Sequence, residues 1–274
     1  MSAKSIKFCR RLFLFGVLCA GVVCVVGVAQ QTANGAVSAQ SNQQKARALL
    51  DRMIETLGGP AYLNLEDSDS TGRYGRFYHE SPEASIEFHR LWEWPRKERV
   101  EFTKQRDVIE LNVGDQMYEI TFRGTRTLDP QKDFDSLIYL ERSRHALDVI
   151  LREWLKQPGV ALFDEGPALS ENHSVERISI ITANNDAVSL SIDTDTHLPV
   201  KKTFVMRDQQ GYRDEIGEVY DNWKMIQGVN TPFSMVVTRN GEISRQYFFT
   251  TVTYNNHPQE SLFQPGSSFN LKKK

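Results

Sequence analysis

The chain has 274 residues, with 33 basic and 35 acidic side chains and a formal net charge of −2. It lacks the positive excess with which proteins bind nucleic acid or an anionic membrane surface, so we expect neither kind of partner. All three cysteines lie within the first 24 residues, so the rest of the chain cannot form disulfides. Its stability must therefore come from a core, and a domain of about 245 residues can bury ~70–75% of its unfolded surface.

The N-terminus has the pattern of an export signal. Four basic residues precede an uncharged run of 18 residues: Lys4, Lys7, Arg10 and Arg11, then Leu12 to Ala29. This order is typical of a secretory signal peptide, and cleavage after Ala29 would suit the small residues there. The run is also close to the ~20 apolar residues that span a bilayer, so residues 1–29 could instead remain as an inner-membrane anchor. In both cases we expect the chain from residue 30 onward to lie in the periplasm.

A linker and a helix follow the signal. Residues 30–41 are rich in Gln, Ala, Ser and Asn and lack apolar periodicity, which predicts a disordered linker. Ser41 and Gln44 fit a capping box at the start of a helix, and Gly58-Gly59-Pro60 predicts its end. Between them, apolar residues recur with helical spacing: Ala46, Leu49, Leu50, Met53, Ile54 and Leu57.

From about Gly72 the apolar period changes to two, which predicts strands. A second helical region, residues 131–157, interrupts them. Short separators with turn residues join the strands into antiparallel hairpins, and Asn240-Gly241 is the strongest turn signal because both positions suit a positive φ. We count about ten strands, each uncertain at its ends by two to four residues. The clearest cover residues 86–94, 109–113, 118–122, 175–182, 188–193, 200–207, 212–220, 233–239 and 242–254.

These elements predict an α+β fold that is mostly antiparallel β. A large antiparallel sheet twists and coils, so its concave face needs a cover. The two helical regions are the candidates for that cover. We therefore expect one domain over residues 42–266, a curved, half-closed β-barrel with helices covering the concave face, followed by a tail over 267–274. The space between helices and sheet is the natural place for a ligand.

Three segments with hairpin punctuation resemble a known superfamily. They are Asp193-Thr194-Asp195-Thr196-His197-Leu198-Pro199-Val200-Lys201, then Tyr220-Asp221-Asn222-Trp223-Lys224 with Gln227-Gly228-Val229-Asn230-Thr231-Pro232-Phe233, and finally Asn255-Asn256 with Ser261-Leu262-Phe263-Gln264-Pro265. The first resembles the D-x-x-T-x-L-P hairpin of the outer-membrane lipoprotein carrier, or LolA-like, superfamily, and the others resemble later segments of the same group. The resemblance implies an open β-barrel with a helical lid, which binds acyl chains or lipidated proteins or senses such ligands. It assigns no functional residue.

The sequence contains no recognisable catalytic or metal-binding motif. Its six histidines are scattered without a spacing typical of zinc ligands, and nucleophile-elbow, P-loop and dinucleotide motifs are absent. Acidic pairs such as Glu215 and Glu218 fall at strand positions that we expect to be exposed. We therefore expect no catalytic residue, metal or cofactor, although the two carboxylates of a glycosidase need only spatial proximity.

The favoured function is a non-enzymatic periplasmic carrier or sensor, acting in envelope lipoprotein or lipid transport. Its expected ligands are lipid or lipoprotein acyl chains, with membrane-bound envelope proteins as further partners left open, and we expect a monomer. The alternatives are a structural interaction module of the envelope and an envelope-polymer hydrolase. The cavity candidates lie on apolar strand faces and on the stripe of the first helix, where they could equally pack a core: Leu50, Met53, Ile54, Phe88, Trp92, Trp94, Tyr118, Ile120, Phe122, Leu190, Ile192, Phe204, Met206, Met235, Val237 and Phe248.

Overall fold

The structure, a computed structural model, describes residues 26–79 and 81–266. Most of the predicted export signal and the predicted tail, 267–274, lie outside the described residues. The chain divides into two compact units between Gln40 and Ser41. The described part of the first unit is helical backbone, and the second unit contains the whole sheet. Among the helices of residues 26–79 and 81–266, none combines the length and the apolar character of a membrane-spanning segment.

The first helix, α1, covers Val26–Leu57. Residues 30–41, for which the sequence predicts a disordered linker, are therefore helical, consistent with the high helix propensity of Ala and Gln. Ser41 lies inside this helix, so the expected capping box is wrong. The expected end is confirmed, because the Gly58 amide donates to the Glu55 carbonyl at 3.1 Å and the Gly59 amide to the Ile54 carbonyl at 2.8 Å. These two bonds form a Schellman motif, which satisfies the last carbonyls of the helix.

Three shorter helices and thirteen strands complete the described chain. The helices are α2 (Pro60–Leu63), α3 (Phe134–Arg144) and α4 (Leu147–Arg152), with 3-10 turns at Trp154–Lys156 and Glu260–Phe263. The strands are β1 (Asp67–Tyr78), β2 (Ser81–Glu93), β3 (Lys97–Phe102), β4 (Val108–Val113), β5 (Gln116–Thr121), β6 (Gly124–Leu128), β7 (Ala161–Ser170), β8 (His173–Ile181), β9 (Ala187–Asp193), β10 (Pro199–Arg207), β11 (Arg213–Ile226), β12 (Val229–Arg239) and β13 (Glu242–Tyr254).

All thirteen strands belong to one antiparallel sheet in the order β6-β5-β4-β3-β2-β1-β13-β12-β11-β10-β9-β8-β7. The pairing of β1 with β13 joins the two meanders. Within the described residues β6 and β7 do not pair with each other, so the sheet is open. The α+β class, the antiparallel pairing and the half-closed sheet predicted from the sequence are therefore confirmed, with three more strands than the count of about ten.

Helices cover the inner face of the sheet at two places. One is the helix core, where α1 and α4 pack on β7–β9: Ala46, Leu50, Met53, Leu57, Val149, Ile150, Leu151, Trp154, Leu162, Ile178, Ile180, Val188, Leu190 and Ile192. The other is the α3 core, where α3 packs on β10–β12: Ile138, Phe204, Met206, Ile216 and Val237. Phe204 of the α3 core is paired with Val188 of the helix core across β10 and β9, so both cores lie on the same face of the sheet. The expected helical cover of the concave face is thus present in the second half of the sheet.

The outer face of β2–β5 carries a further apolar cluster, the outer core: Leu91, Ile109, Leu111, Ile120 and Phe263. Phe263 comes from the 3-10 turn near the end of the domain, and it is only 3% exposed. Hydrogen bonds hold this segment on the strands, because Arg99 donates to the Leu262 carbonyl at 3.1 Å and Thr125 to the Pro265 carbonyl at 2.9 Å. The first half of the sheet is therefore covered on its outer face by residues that follow the last strand.

One irregularity decides which residues of β13 face inward. The pairing of β1 with β13 moves from Thr71 with Thr251 to Gly72 with Phe249, so it skips Thr250. A bulge of this kind changes the alternation of side chains along the strand. Gly72 is required at this point, because a Cβ there would overlap the carbonyl oxygen of Phe248. The bulge places Tyr247 and Phe249 on the same face as Val252 and Tyr254.

The outer core yields a prediction about stability. Phe263→Ala should lower the free energy of unfolding by about 3–5 kcal/mol, as expected for loss of a buried aromatic ring. Phe122→Ala removes the same atoms from a side chain that is 82% exposed, and it should change stability by less than about 0.5 kcal/mol. Urea denaturation of both variants measures the difference, and equal losses would contradict the role of residue 263 as a core residue.

Candidate functional site

A cavity of about 320 Å³ lies within the second unit, between the inner face of the sheet and the helices. Strands β1–β4 and β11–β13 form one side, and α2, α3 and α4 contribute the other. The cavity lies next to the part of the inner sheet face that neither the helix core nor the α3 core covers. Its size falls at the lower end of the range of small-molecule pockets, ~300–1,000 Å³.

Most of the cavity wall is apolar and aromatic. The rings of Phe88 and Phe249 meet edge to face with centroids 5.6 Å apart, and Tyr247 stacks on Phe249 at 6.5 Å. Ring pairs at these distances stabilise one another beyond the area that they bury. This apolar wall consists of Leu57, Tyr62, Leu65, Phe88, Trp92, Val100, Phe102, Ala146, Leu147, Val149, Tyr220, Trp223, Pro232, Met235, Tyr247, Phe249, Val252 and Tyr254.

A buried ion cluster lies at the edge of the cavity, where α3 meets β10 and β11. Glu218 accepts from Arg142 Nε at 2.7 Å, and it lies 2.8 Å from Lys202 Nζ and 2.8 Å from the Tyr220 hydroxyl. Burial alone would raise the pKa of Glu218, but the charges of Lys202 and Arg142 outweigh it and hold that pKa at about 2. Burial lowers the pKa of Lys202, although Glu218 opposes the shift. Lys202 also donates to the carbonyl of His145, the C-cap of α3, so the cluster ties that helix to the sheet.

The strands β3 and β4 contribute a polar wall, which consists of Glu98, Glu110 and Asn112. Glu98 accepts from Arg90 through one carboxylate oxygen and from the Tyr139 hydroxyl through the other. Glu110 is accessible from the cavity but is otherwise surrounded by protein, and this desolvation raises its pKa to about 7. Asn112 is only 2% exposed, and its Nδ2 has no hydrogen-bond partner in the described part of the chain.

The structure separates the sequence-predicted cavity residues into three groups. Phe88, Trp92 and Met235 line the cavity. Nine others pack in the cores beside it, the first six in or against the helix core and the last three in the α3 core: Leu50, Met53, Ile54, Trp94, Leu190, Ile192, Phe204, Met206 and Val237. These nine share the inner face or its helical cover but are packed against other side chains. The alternation along strands cannot distinguish packing from lining, since both need apolar residues on the same face.

The remaining four candidates do not face the interior. Tyr118 and Ile120 pack in the outer core, because their partners Leu111 and Ile109 face outward and Glu110 and Asn112 face inward. Phe122 follows the end of β5 and is 82% exposed, and Phe248, 49% exposed, points away from the face that Tyr247 and Phe249 occupy. The structure therefore places these four side chains outside the cavity. Tyr118 and Ile120 are covered on the outer face, Phe122 lies beyond β5, and the bulge at residue 250 turns Phe248 outward.

The polar part of the site was not predicted from the sequence. Glu218, expected to be exposed, is 5% exposed, and Lys202 is fully buried. A signal for this pair was present, because strand alternation places Lys202 on the same face as Phe204 and Met206, and Glu218 on the same face as Ile216. No group of three or more His, Cys, Asp or Glu side chains within residues 26–79 and 81–266 is arranged to hold a metal ion.

Solved structures share this fold. A DUF1329 family protein from Desulfovibrio piger superposes with a TM-score of 0.55 at 13% sequence identity, over 81% of this chain and 97% of that one. A domain from Vibrio parahaemolyticus, described as an outer membrane lipoprotein-sorting protein, has a TM-score of 0.53 at 12% identity, over 78% and 97%. A LolA superfamily protein from Nitrosomonas europaea has a TM-score of 0.49 at 11% identity, over 78% and 94%.

The first two similarities support the LolA-like fold that the hairpin segments indicate, and at such low identities they concern the fold alone. No protein-family model matches the sequence, and a search of the curated proteins finds no match.

The buried ion cluster yields a prediction about stability and pH. Glu218→Gln should lower the free energy of unfolding by about 3–5 kcal/mol near pH 7, because it leaves two buried cations without their carboxylate. The pKa of Glu218 is about 2 in the folded protein and ordinarily 4.5, so its stabilisation is present above pH 4.5. The difference in free energy of unfolding between the wild type and the variant should therefore decrease as the pH falls from 4.5 toward 2.

A matched control is Glu260→Gln, which removes a carboxylate that pairs with Lys97 at 2.8 Å but is 66% exposed. This change should lower stability by no more than about 1 kcal/mol. Chemical denaturation of both variants between pH 3 and 7 measures these differences. A loss for Glu218→Gln no larger than that of the control would mean that the cluster does not anchor the fold.

Proposed function

We propose that this chain is a non-enzymatic carrier or sensor of the bacterial cell envelope, which binds lipid or lipoprotein acyl chains in the cavity. The observation that carries the proposal is the cavity itself, about 320 Å³ with a mostly apolar wall between sheet and helices. Each CH₂ group moved from water into such a space contributes ~0.8 kcal/mol, so a chain of about a dozen carbons gains several kcal/mol.

The lining argues against the two alternative functions. A structural module with a filled interior would not leave this space between its covered sheet face and its helices. A hydrolase needs a free carboxylate to act as base or nucleophile. Both oxygens of Glu98 and both oxygens of Glu218 are bonded to neighbouring side chains, and the two other acidic residues of the lining, Glu110 and Asp148, stand in a wall that is mostly apolar. A wall of this kind suits an acyl chain better than a polar envelope polymer, so we infer binding rather than hydrolysis.

The fold supports the same proposal. The Vibrio domain that shares this fold is described as an outer membrane lipoprotein-sorting protein. A lipidated protein or a free lipid would each offer an acyl chain to the apolar wall. The proposed partners are membrane-bound envelope proteins. These partners determine whether the chain acts as a carrier that delivers the ligand or as a sensor of it.

Export is part of the proposal, and it is supported by the basic and apolar pattern of residues 1–29. In cells that express the full chain, residues 30 onward should be digested by protease after the outer membrane is opened, while the inner membrane remains intact. Protection under these conditions would contradict a periplasmic location. Sodium carbonate extraction of the same membranes separates a cleaved, released protein from an anchored one.

The cavity assignment yields a prediction about binding. Trp92→Gln should weaken binding of a fluorescent fatty acyl probe by more than about fivefold, because the ring lines the cavity. Its stability loss should remain below the ~2–5 kcal/mol that is typical of large core losses, since its ring is only partly buried. Fluorescence titration and urea denaturation of each variant provide the two measurements.

Leu190→Gln is the comparison, because Leu190 is fully buried in the helix core and does not line the cavity. It should lose about 3–5 kcal/mol of stability while its folded fraction binds the probe with unchanged affinity. If the wild type binds no acyl probe, the carrier or sensor function is wrong. If both variants lose stability and affinity in proportion, residue 92 is an ordinary core position.

A further inference from the structure

The polar wall of the cavity contains a hydrogen-bond donor without an acceptor. Asn112 lies on β4 beside Glu98 of β3, with which it is paired across the strands. Its side chain is almost completely buried, it lines the cavity, and its Nδ2 has no partner in the described part of the chain. A buried donor left unpaired costs ~1–3 kcal/mol, so a ligand that supplies an acceptor at this point would recover that free energy.

The charges around the cavity are unfavourable for an anionic ligand. Each of the four basic side chains in the lining already pairs with a carboxylate: Arg90 with Glu98, Arg96 with Asp115, Lys97 with Glu93 and Glu260, and Arg142 with Glu218. Two acidic residues of the lining, Glu110 and Asp148, form no ion pair within residues 26–79 and 81–266. A free carboxylate head group would therefore meet unpaired acids and no available cation.

Glu110 lies two residues before Asn112 on the same face of β4, and both line the cavity. Desolvation raises the pKa of Glu110 to about 7, so near neutral pH a large fraction of this side chain is an uncharged acid that can donate a hydrogen bond. The polar wall thus offers a second donor beside the amide of Asn112. An uncharged acceptor has two lone pairs and suits both donors.

We propose that Asn112 and Glu110 form a head-group site for an uncharged carbonyl oxygen, the ester or amide carbonyl of an acylated ligand, whose chain lies along the apolar wall. This inference rests on the proposed function and specifies its ligand class: acyl esters and amides are favoured over free fatty acids. Asn112 lines the cavity, and a small rotation of its side chain lets the amide nitrogen donate to the carbonyl oxygen. The phenyl and indole rings of Phe88 and Trp92 lie on β2, two strands from β4, and contact the chain.

The test uses Asn112→Leu, which has a similar shape and lacks the donor. Replacing an unpaired buried amide by an apolar side chain should leave stability unchanged or higher. Displacement of the neutral probe N-phenyl-1-naphthylamine at pH 6.5, where most Glu110 is uncharged, measures the affinities of dodecane, methyl laurate and laurate. From wild type to variant, the affinity of methyl laurate relative to that of dodecane should fall about fivefold to tenfold, as expected for loss of one hydrogen bond.

Two controls accompany this variant. Met117→Leu changes the residue paired with Asn112 on β5 and should leave the ratio of affinities unchanged. Asn112→Val removes the same donor with a residue that favours strands, and it replaces the leucine variant if that variant does not fold. In the wild type, laurate should bind more weakly than methyl laurate.

The outcomes separate this inference from the proposed function. If the wild type binds dodecane but the ester-to-dodecane ratio is the same in both proteins, the head-group site is wrong and the cavity binds only chains. Tighter binding of laurate than of methyl laurate would also overturn it, because the ligand would then be an anion. If none of the three compounds displaces the probe, the proposed function fails together with the site.

Discussion

The position of the helices over the sheet depends on a carboxylate that is buried with two cations. Glu218 of β11 binds Lys202 of β10 and Arg142 of α3, and Lys202 also binds the carbonyl that ends α3. Apolar contacts are not directional, so they tolerate small displacements of a helix. Moving α3 would leave a charge unpaired in the interior, at a cost of several kcal/mol. This cluster therefore defines one boundary of the cavity without filling it.

The sheet is used differently in its two halves. In β7–β12 the core residues face inward and pack under helices, as in a conventional two-layer domain. In β4 and β5 the core residues Ile109, Leu111 and Ile120 face outward and pack under the segment around Phe263, so the polar residues Glu110 and Asn112 face the cavity. Because the cover is on the outside here, the inner face is free to be polar. The result is a cavity with an apolar wall and a polar wall.

The sequence predicted the fold class, most strands and the end of α1, because alternation and turn residues are local signals. The hairpin at Asn240-Gly241 has a positive φ at both residues, as the turn requires, and Asp193 accepts the amides of Asp195 and Thr196 in the turn that the family resemblance highlights. The missed strands are those without clean alternation. For example, three of the four buried side chains of β3, Lys-Glu-Arg-Val-Glu-Phe, are the charged residues Glu98, Arg99 and Glu101, which form ion pairs.

The candidate site was predictable only in part. Phe88, Trp92 and Met235 were found because apolar alternation also marks cavity walls. Tyr247 and Phe249 were missed because the skipped residue in β13 reverses the alternation that placed Phe248 inside. The ion cluster was missed because Glu218 pairs with Arg142 of α3, which is distant in sequence. Asn112 was missed because the distant segment around Phe263 covers the other face of β4. Local pattern thus identifies the face of an element, while tertiary contacts decide which side of the sheet is covered.

The pairing of β1 with β13 has a consequence for the order of folding. Residues 67–78 obtain one of their two strand neighbours from residues 242–254, and the outer core of β2–β5 is completed by Phe263. Contacts over such sequence separations form late, since a long loop must close first. During synthesis, the first meander emerges with an exposed strand edge and an uncovered apolar face. It can be completed only after nearly the whole chain has emerged, so the unfinished half needs protection from association with other chains until then.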